Sequence, residues 1–336
     1  MRVLVLGPTY QNQPKSVTNA LSRMGNEAFL YSLTEFYIGC TYWEKKLYKL
    51  GVKALEKRYN EHQAKSLKEY CDNLKPDIIF VLNGLMLCDE VLDIVKQYHR
   101  ILWIWDSIKR CPKLMKILPC FKIVYVFEHN DVDYLNKYGC CATYLPLGYD
   151  DNIFYPKEKE SRDIDISFIG IPNEDRMLIL NKIAKYAKKR KLKMYVGGPW
   201  YSKQHFWKKY QFKQRYPELY EYIDNHVIEA EDVADIYRRS KICLNINVHE
   251  HKSLNPRSFE ILATNSFMLM NGNVNFYGLI SDKDFETFSN DDILYKIEEY
   301  INNEEKRKTV ALHGYNTVKD KMSYIKILSK IKKEEQ

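Results

Sequence analysis

The sequence predicts an α/β protein built from two Rossmann-like, doubly wound domains facing each other across a cleft. Three observations carry this reading. Short apolar runs rich in Ile, Val, Leu and aromatics alternate with helix-like segments through almost all of the 336 residues. Such runs suit parallel strands covered on both faces. The alternation is broken once, by a polar stretch over 149–163 that contains Pro156 and reads as a linker. Each series opens on a strand closed by glycine: Arg2-Val3-Leu4-Val5-Leu6 before Gly7, and Asp165-Ile166-Ser167-Phe168-Ile169 before Gly170. The domains are therefore placed at 1–150 and 151–318. Residues 319–336 are expected to supply a terminal helix that packs back on the first domain.

In chain order, strands are expected at 2–6, 27–32, 77–82, 100–105, 122–127 and 142–146. Helices fall between them. One begins near Ser16 and stops at Gly25, a longer helical region covers 43–73, and shorter ones lie near 89–98 and 130–138. The second series runs strand 165–170, helix 174–190 and strand 193–197, followed by an aromatic-rich segment over 199–223 that reads as irregular. Strand 226–229, helix 231–240, strand 241–247 and a helix opened by Asn255 come next. Strands near 267–270 and 285–288, helices near 290–303 and 304–318, and a last helix at 321–333 complete the chain. Ligands in open α/β sheets bind beyond the carboxyl ends of strands, so the 7–15 and 248–256 loops are expected to line the cleft.

Composition narrows the partners. Hydrophobic residues make up 45% of the chain and aromatics 14%, enough for a core in each half. The formal charge of +8 suits phosphate-bearing ligands or an anionic membrane surface. Standard nucleic-acid motifs are absent, so nucleic acid is not an expected partner. The longest apolar runs, such as Ile101-Leu102-Trp103-Ile104-Trp105, are strand-sized and fall far short of a bilayer span. The first strand is too short and too poorly flanked for a signal peptide. Eight cysteines without a C-x-x-C pair read as reduced thiols. A cytoplasmic protein is expected, with peripheral contact at the inner membrane face left open.

The most informative stretch is Ser253-Leu254-Asn255-Pro256-Arg257-Ser258-Phe259-Glu260-Ile261-Leu262-Ala263. It follows the apolar strand Ile242-Cys243-Leu244-Asn245-Ile246-Asn247 and reads as a helix start. Asn255 is a good N-cap, and Pro256 fits the first helical position. Arg257 then lies in the first turn, where unpaired N–H groups and the helix dipole favour an anion. Glu260 follows about one turn later on a neighbouring face. A cation, a helix N-terminus and a carboxylate behind them suit a diphosphate joined to a sugar with free hydroxyls, the polar half of a nucleotide-sugar.

Other positions are weighed beside plainer readings. Gly7-Pro8-Thr9-Tyr10 follows the first strand without G-x-G-x-x-G, which argues against NAD or FAD. Gly7, Thr9, Tyr10 and Asn83 are candidate acceptor-side cleft residues, or parts of simple turns. Gly170 allows close approach of a ligand to the backbone, and Arg176 in the equivalent βα turn could bind phosphate or lie on the surface. Asp106, just past strand 100–105, is a candidate general base or merely a helix cap. His129 is a candidate base or donor, or an ordinary loop histidine. His249-Glu250-His251 lacks the i, i+4 spacing of a zinc helix, so no metal is expected. The basic run from Lys182 to Lys193 reads as a solvated helix face or as attraction to anionic lipid, with the aromatics of 195–222 as reinforcement.

With these residues on the page, the second half resembles the CgeB-like glycosyltransferases, cytosolic enzymes of the two-domain GT-B fold. The resembling pieces are Asp165 to Gly170 with Arg176, Tyr237 to Asn245, Asn255-Pro256-Arg257-Ser258-Phe259-Glu260, Asn303-Glu304-Glu305, and Ala311-Leu312-His313-Gly314-Tyr315. Leu145-Pro146-Leu147-Gly148-Tyr149-Asp150 is similar to the family's interdomain junction. The resemblance covers about 145–318 well and the first half weakly. It implies a metal-independent hexosyltransferase-like enzyme using a nucleotide-sugar, UDP-linked, as co-substrate and no cofactor. Its acceptor would be a cell-surface glycan, a lipid-linked precursor or a protein, as in bacterial polysaccharide biosynthesis. It implies that Glu260 holds the donor ribose hydroxyls, and that Arg257 and the Gly170 turn lie near the diphosphate. Asn255 and Ser258 belong to the same donor-binding set. Related retaining enzymes often carry a second glutamate eight positions earlier. Here that position is Lys252, which becomes a candidate cation for the leaving diphosphate. A non-catalytic nucleotide-sugar-binding protein on the same scaffold is the alternative.

Overall fold

Two six-stranded sheets, parallel throughout, organise the chain. The computed structural model describes residues 1–8, 12–33, 41, 43–44, 47, 52–157, 161–202, 206–247, 253–272 and 278–331. The chain divides into two compact units, one of Met1–Leu147 with Tyr324–Gln336 and one of Gly148–Ser323.

The first unit follows a repeating βα pattern: β1 (Arg2–Gly7), α1 (Gln13–Arg23), β2 (Glu27–Ser32), α2 (Lys53–Leu74), β3 (Ile78–Leu82), α3 (Asp89–Val95), β4 (His99–Ile104), β5 (Ile123–Val126), α4 (His129–Lys137) and β6 (Ala142–Tyr144). Short 3-10 turns at Pro112–Lys116 and Leu118–Cys120 join β4 to β5. The strand order is β2-β1-β3-β4-β5-β6. All five residues of β3 are buried, as a strand covered by helices on both faces requires. Leu4, Leu6, Ile79, Val81, Leu102 and Ile104 share one core cluster. On the other face Trp103 lies 6.2 Å from Phe80 and meets Trp105 edge-on at 5.4 Å, and its indole N–H donates to the Leu145 carbonyl at 3.1 Å. The Tyr324 ring stands 6.3 Å from the same indole, which draws α12 (Tyr324–Leu328) into this unit.

The second unit runs β7 (Ile164–Ile169), α5 (Glu174–Arg190), β8 (Met194–Gly197), α6 (Phe206–Arg215), α7 (Pro217–Glu221), β9 (Ile223–Asp224), α8 (Ala230–Arg239), β10 (Ser240–Asn245), α9 (Pro256–Ala263), β11 (Met268–Asn271), β12 (Glu286–Phe288), α10 (Ile293–Asn302) and α11 (Glu304–Val318). Its order is β12-β11-β10-β7-β8-β9. Ile166, Phe168, Ile242, Leu244 and Leu269 form the middle of its core.

Three expectations need correction. The segment 199–223 is not irregular: it holds α6 and α7, because Lys, Gln, Arg and Glu between its aromatics are good helix formers and Pro217 starts the second helix. No strand forms over 226–229. Ile228 instead packs on Gly197, so closely that a Cβ there would lie 2.2 Å from its Cδ1. The strand is the two residues Ile223–Asp224, with Ile223 paired to Val196. The stretch 149–163 is not a bare linker either. Tyr149, Asp150 and Phe154 are buried, and the Arg238 guanidinium donates to the carbonyls of Tyr155 at 2.8 Å and Ile153 at 2.6 Å.

The basic run on α5 is exposed, and three of its side chains have partners within the chain. Lys188 pairs with Glu221 at 2.6 Å, Arg190 with Glu298, and Lys182 donates to the Asn290 carbonyl. Among the described residues no helix is long and apolar enough to cross a membrane. The seven described cysteines are all unpaired.

Candidate functional site

The second sheet changes direction between β7 and β10. From β7 the chain builds β8 and β9 on one side, then crosses to β10 on the other. Ligands of open α/β sheets sit beyond the carboxyl ends of strands at such a switch point. Gly170 follows β7 there, Asn245 ends β10, and α9 begins there. Asn255 caps α9: its side-chain oxygen accepts from the Ser258 N–H at 3.2 Å, and Pro256 takes the first helical position.

An asparagine network holds this helix start. Asn245, fully buried, donates to Ser258 Oγ at 2.7 Å, while its oxygen accepts from Asn255 Nδ2 at 3.3 Å. Asn255 Nδ2 also donates to Asn247 Oδ1. The Asn247 N–H donates to Asn271 Oδ1 at 2.6 Å, and Asn271 Nδ2 returns a bond to the Asn247 carbonyl at 3.2 Å. Each amide carries both a donor and an acceptor, so the ladder satisfies buried strand ends without adding charge. Asn245, Asn247 and Asn271 were not singled out from the sequence. The signal was there in the first two, as an Asn-x-Asn pattern closing an otherwise apolar strand.

Arg257 is placed by the same network. Its Nη1 donates to Asn245 Oδ1 at 3.1 Å, and its guanidinium carbon lies 5.4 Å from the centre of the Phe168 ring. A Cβ on Gly170 would come within 2.9 Å of Arg257 Nη2 and 3.1 Å of Phe168 Cζ. Glycine at 170 therefore lets the guanidinium lie on the turn after β7. The buried Tyr237 hydroxyl, from α8, reaches the same group. Burial, and next the charge of Glu260, raise its pKa well above the ordinary value, against the charge and hydrogen bond of Arg257.

Glu260 completes the cluster. Its surroundings raise its pKa to about 7, because burial disfavours the charged form, with Arg257 pulling the other way. The side chain still keeps intermediate exposure, and among the described residues its carboxylate receives no hydrogen bond. A group raised in the folded state contributes stability that is complete below its unfolded value near 4.5 and is lost as pH rises through about 7. Wild-type protein should thus lose about 1–2 kcal/mol between about pH 5 and pH 8 that Glu260→Gln keeps, after discounting for the solvent that reaches the carboxylate. Urea unfolding of both proteins at the two pH values checks this; parallel losses would refute it.

Arg176 also lies against Phe168, at 5.7 Å, but is buried. It donates to the Ile246 carbonyl at 3.0 Å and the Ile171 carbonyl at 3.0 Å, tying the end of β10 to the loop after β7. Two of its donors are thus committed to main-chain carbonyls. Lys252 and the His249-Glu250-His251 segment lie outside the described residues, as do Thr9 and Tyr10. Among the described residues no group of three or more His, Cys, Asp or Glu could hold a metal ion.

The remaining candidates belong to the first unit, whose own switch point lies between β1 and β3. Gly7 ends β1, where a Cβ would lie 3.1 Å from Pro14 at the start of α1. Asn83 follows β3 in a left-handed conformation at φ 69°, with Gly84 at 75°. Its N–H donates to the Trp103 carbonyl at 2.8 Å, and its buried Oδ1 has no hydrogen-bond partner among the described residues. Asp106 accepts from the Ser107 N–H at 2.8 Å and pairs with Arg110 at 3.1 Å. His129 opens α4 with its ring 4.8 Å from Tyr144. The residue that joins these two loops is Asp131, which accepts from the Ile108 N–H at 2.8 Å and from Ser107 Oγ at 3.4 Å.

Residues 176–333 match the glycosyl transferase-like family model. No curated protein sequence matches the chain. Solved structures match over nearly its whole length. Anabaena HepE in complex with UDP and glucose is 9% identical, covers 98% of each chain and has a TM-score of 0.67. Sucrose-phosphate synthase from Thermosynechococcus elongatus is 12% identical, with 95% of this chain and 94% of that one covered and a TM-score of 0.65. α,α-Trehalose 6-phosphate synthase from Burkholderia multivorans is 10% identical, with 97% and 96% covered and a TM-score of 0.59. The fold is that of the GT-B glycosyltransferases, two Rossmann-like α/β domains.

Proposed function

We propose that the chain is a GT-B glycosyltransferase that binds a nucleotide-diphosphate-sugar, UDP-linked, in its second unit. One observation carries the reading. At the switch point, Arg257 lies over the Gly170 turn at the start of α9, with the Glu260 carboxylate, which accepts no hydrogen bond among the described residues, one helical turn behind. The match of 176–333 to a glycosyl transferase-like family supports it, as do the ligands named for the HepE structures, UDP and glucose in one and UDP-glucose in the other.

In this reading Glu260 accepts hydrogen bonds from the ribose hydroxyls, which requires its charged form. Arg257 and the first-turn N–H groups of α9 face the diphosphate, with Ser258 and Asn255 fixing that turn and Lys252 adding a cation. They stabilise the charge that grows on the leaving diphosphate as the bond from the sugar's anomeric carbon to phosphate breaks. No metal is needed for that step. Asp106 is the proposed base that takes the proton from the acceptor hydroxyl as its oxygen bonds to the anomeric carbon, and His129 is the second candidate. Gly7, Thr9, Tyr10 and Asn83 are assigned to the acceptor side. The acceptor is a glycan, a lipid-linked precursor or a protein, and the sugar is a hexose.

Thermal-shift titration with UDP, GDP, CDP and dTDP tests the donor site. UDP should stabilise the protein by about 2–3 kcal/mol at a hundredfold excess over its dissociation constant, and UDP-glucose should be consumed when acceptor or water is available. Stabilisation by none of the four would remove the proposal. Binding without consumption of any UDP-sugar would leave a binding protein and refute the enzyme.

A further inference from the structure

Helix α6 is ten residues long, and none of them is buried. Helices this short are marginal in water and usually persist by burying an apolar face. Here Phe206 is 79% exposed, Trp207 48% and Tyr210 62%. Helical spacing places the three together, and Phe206 and Trp207 meet edge-on at 5.4 Å. The far side of the helix is anchored. Phe212 lies 5.6 Å from Tyr201 and 5.4 Å from Tyr216, Lys209 and Lys213 sit over the Tyr220 ring, and Arg215 pairs with Glu174 at 3.1 Å. The aromatic face is thus held outward by contacts made elsewhere on the same helix.

The charge pattern says what chemistry covers that face. Residues 206–215 contain Lys208, Lys209, Lys213 and Arg215 and no acid, in a chain of net charge +8. Phe, Trp and Tyr on one side with Lys208 among them, on a helix whose other cations are held by Tyr220 and Glu174, is a composition that suits a membrane interface, where the rings sit at headgroup depth and the Lys208 ammonium meets lipid phosphate. We propose that α6 docks the protein on an anionic bilayer surface through Phe206, Trp207 and Tyr210. The docking rests on observations independent of the donor site, so either can fail alone.

The test uses the full chain and vesicles of phosphatidylcholine with about 30 mol% phosphatidylglycerol. Wild type should sediment with them, less with pure phosphatidylcholine, and less again in about 0.5 M NaCl. The triple variant Phe206→Ser, Trp207→Ser, Tyr210→Ser should bind them about tenfold more weakly or worse, with unchanged urea unfolding. Trp207→Phe should keep the binding and lose the blue shift of tryptophan emission that vesicles induce. The proposal is overturned if wild type stays in the supernatant, or if the triple variant sediments equally well. It is also overturned if wild type is a dimer that the triple variant dissolves, for then a second copy covers the face.

Discussion

Glu260→Ala is expected to reduce kcat/KM for the nucleotide-sugar by about two orders of magnitude, with most of the loss in KM. The reason is when the contact is made. Ribose hydroxyls bonded to a carboxylate are held in the ground state and the transition state alike, so their loss weakens binding more than turnover. Two hydrogen bonds to a charged acceptor account for a loss of this order, about 1.5–3 kcal/mol each before compensation by water. Arg257→Ala should differ in kind. Its guanidinium meets charge that grows as the diphosphate leaves, so kcat should fall by about a hundredfold or more while KM changes less. Steady-state consumption of UDP-sugar by the two variants separates the roles. Equal KM for wild type and Glu260→Ala would contradict the ribose assignment. Because the carboxylate must be charged to accept, donor affinity should also rise as pH passes upward through about 7, and Glu260→Gln should flatten that rise.

Gly198→Ala is expected to destabilise the second unit by about 3 kcal/mol or more. Gly198 stands at φ +132°, a conformation that L side chains rarely adopt, and a Cβ there would lie 2.3 Å from the Gly170 carbonyl oxygen. Neither the strain nor the backbone clash can be relieved by turning a side chain. Gly170→Ala makes the informative contrast. Its backbone is ordinary, and the nearest atom to the new methyl group is the end of the Arg257 side chain at 2.9 Å. It should lose about tenfold in UDP affinity with a smaller loss of stability, since the guanidinium is displaced while the sheet stays intact. Urea midpoints and UDP titrations of both variants read the difference. A Gly198→Ala protein as stable as wild type would refute the packing argument.

Much of the fold was legible because the strands are continuous apolar runs and the helices carry their own stops. The run Ile78-Ile79-Phe80-Val81-Leu82 could hardly be anything but a buried strand, and Asn255-Pro256 announced the start of α9. Residues 199–223 misled because their aromatics form no single apolar stripe: Phe206, Trp207 and Tyr210 gather on one part of α6 while Phe212 turns to Tyr201 and Tyr216. Local helix formers decide there, and none of the ten residues of α6 is buried. The donor cluster was legible in part. Arg257 and Glu260 stood close in sequence, but Tyr237 joins them from α8, and Asn271 joins the asparagine ladder from β11. Such partners come from strand order, which spacing along the chain does not record. Arg176 shows the opposite case. Its place after β7 is that of a phosphate ligand, yet its depth gives it carbonyl oxygens to satisfy.

The passage of the chain between its two units has a consequence for biosynthesis. It leaves the first unit after Leu147 and returns at Tyr324, and the two crossing points lie side by side, with Tyr149 bridged to Ser323. A stretch made after the whole of the second unit therefore completes a unit whose first 147 residues were made before it. Until Tyr324, Ile327 and Leu328 arrive, the surfaces of α1 and Trp103 that they cover stay open. Nascent chains halted before that point should carry an unfinished amino-terminal half, the kind of exposed apolar surface that chaperones hold.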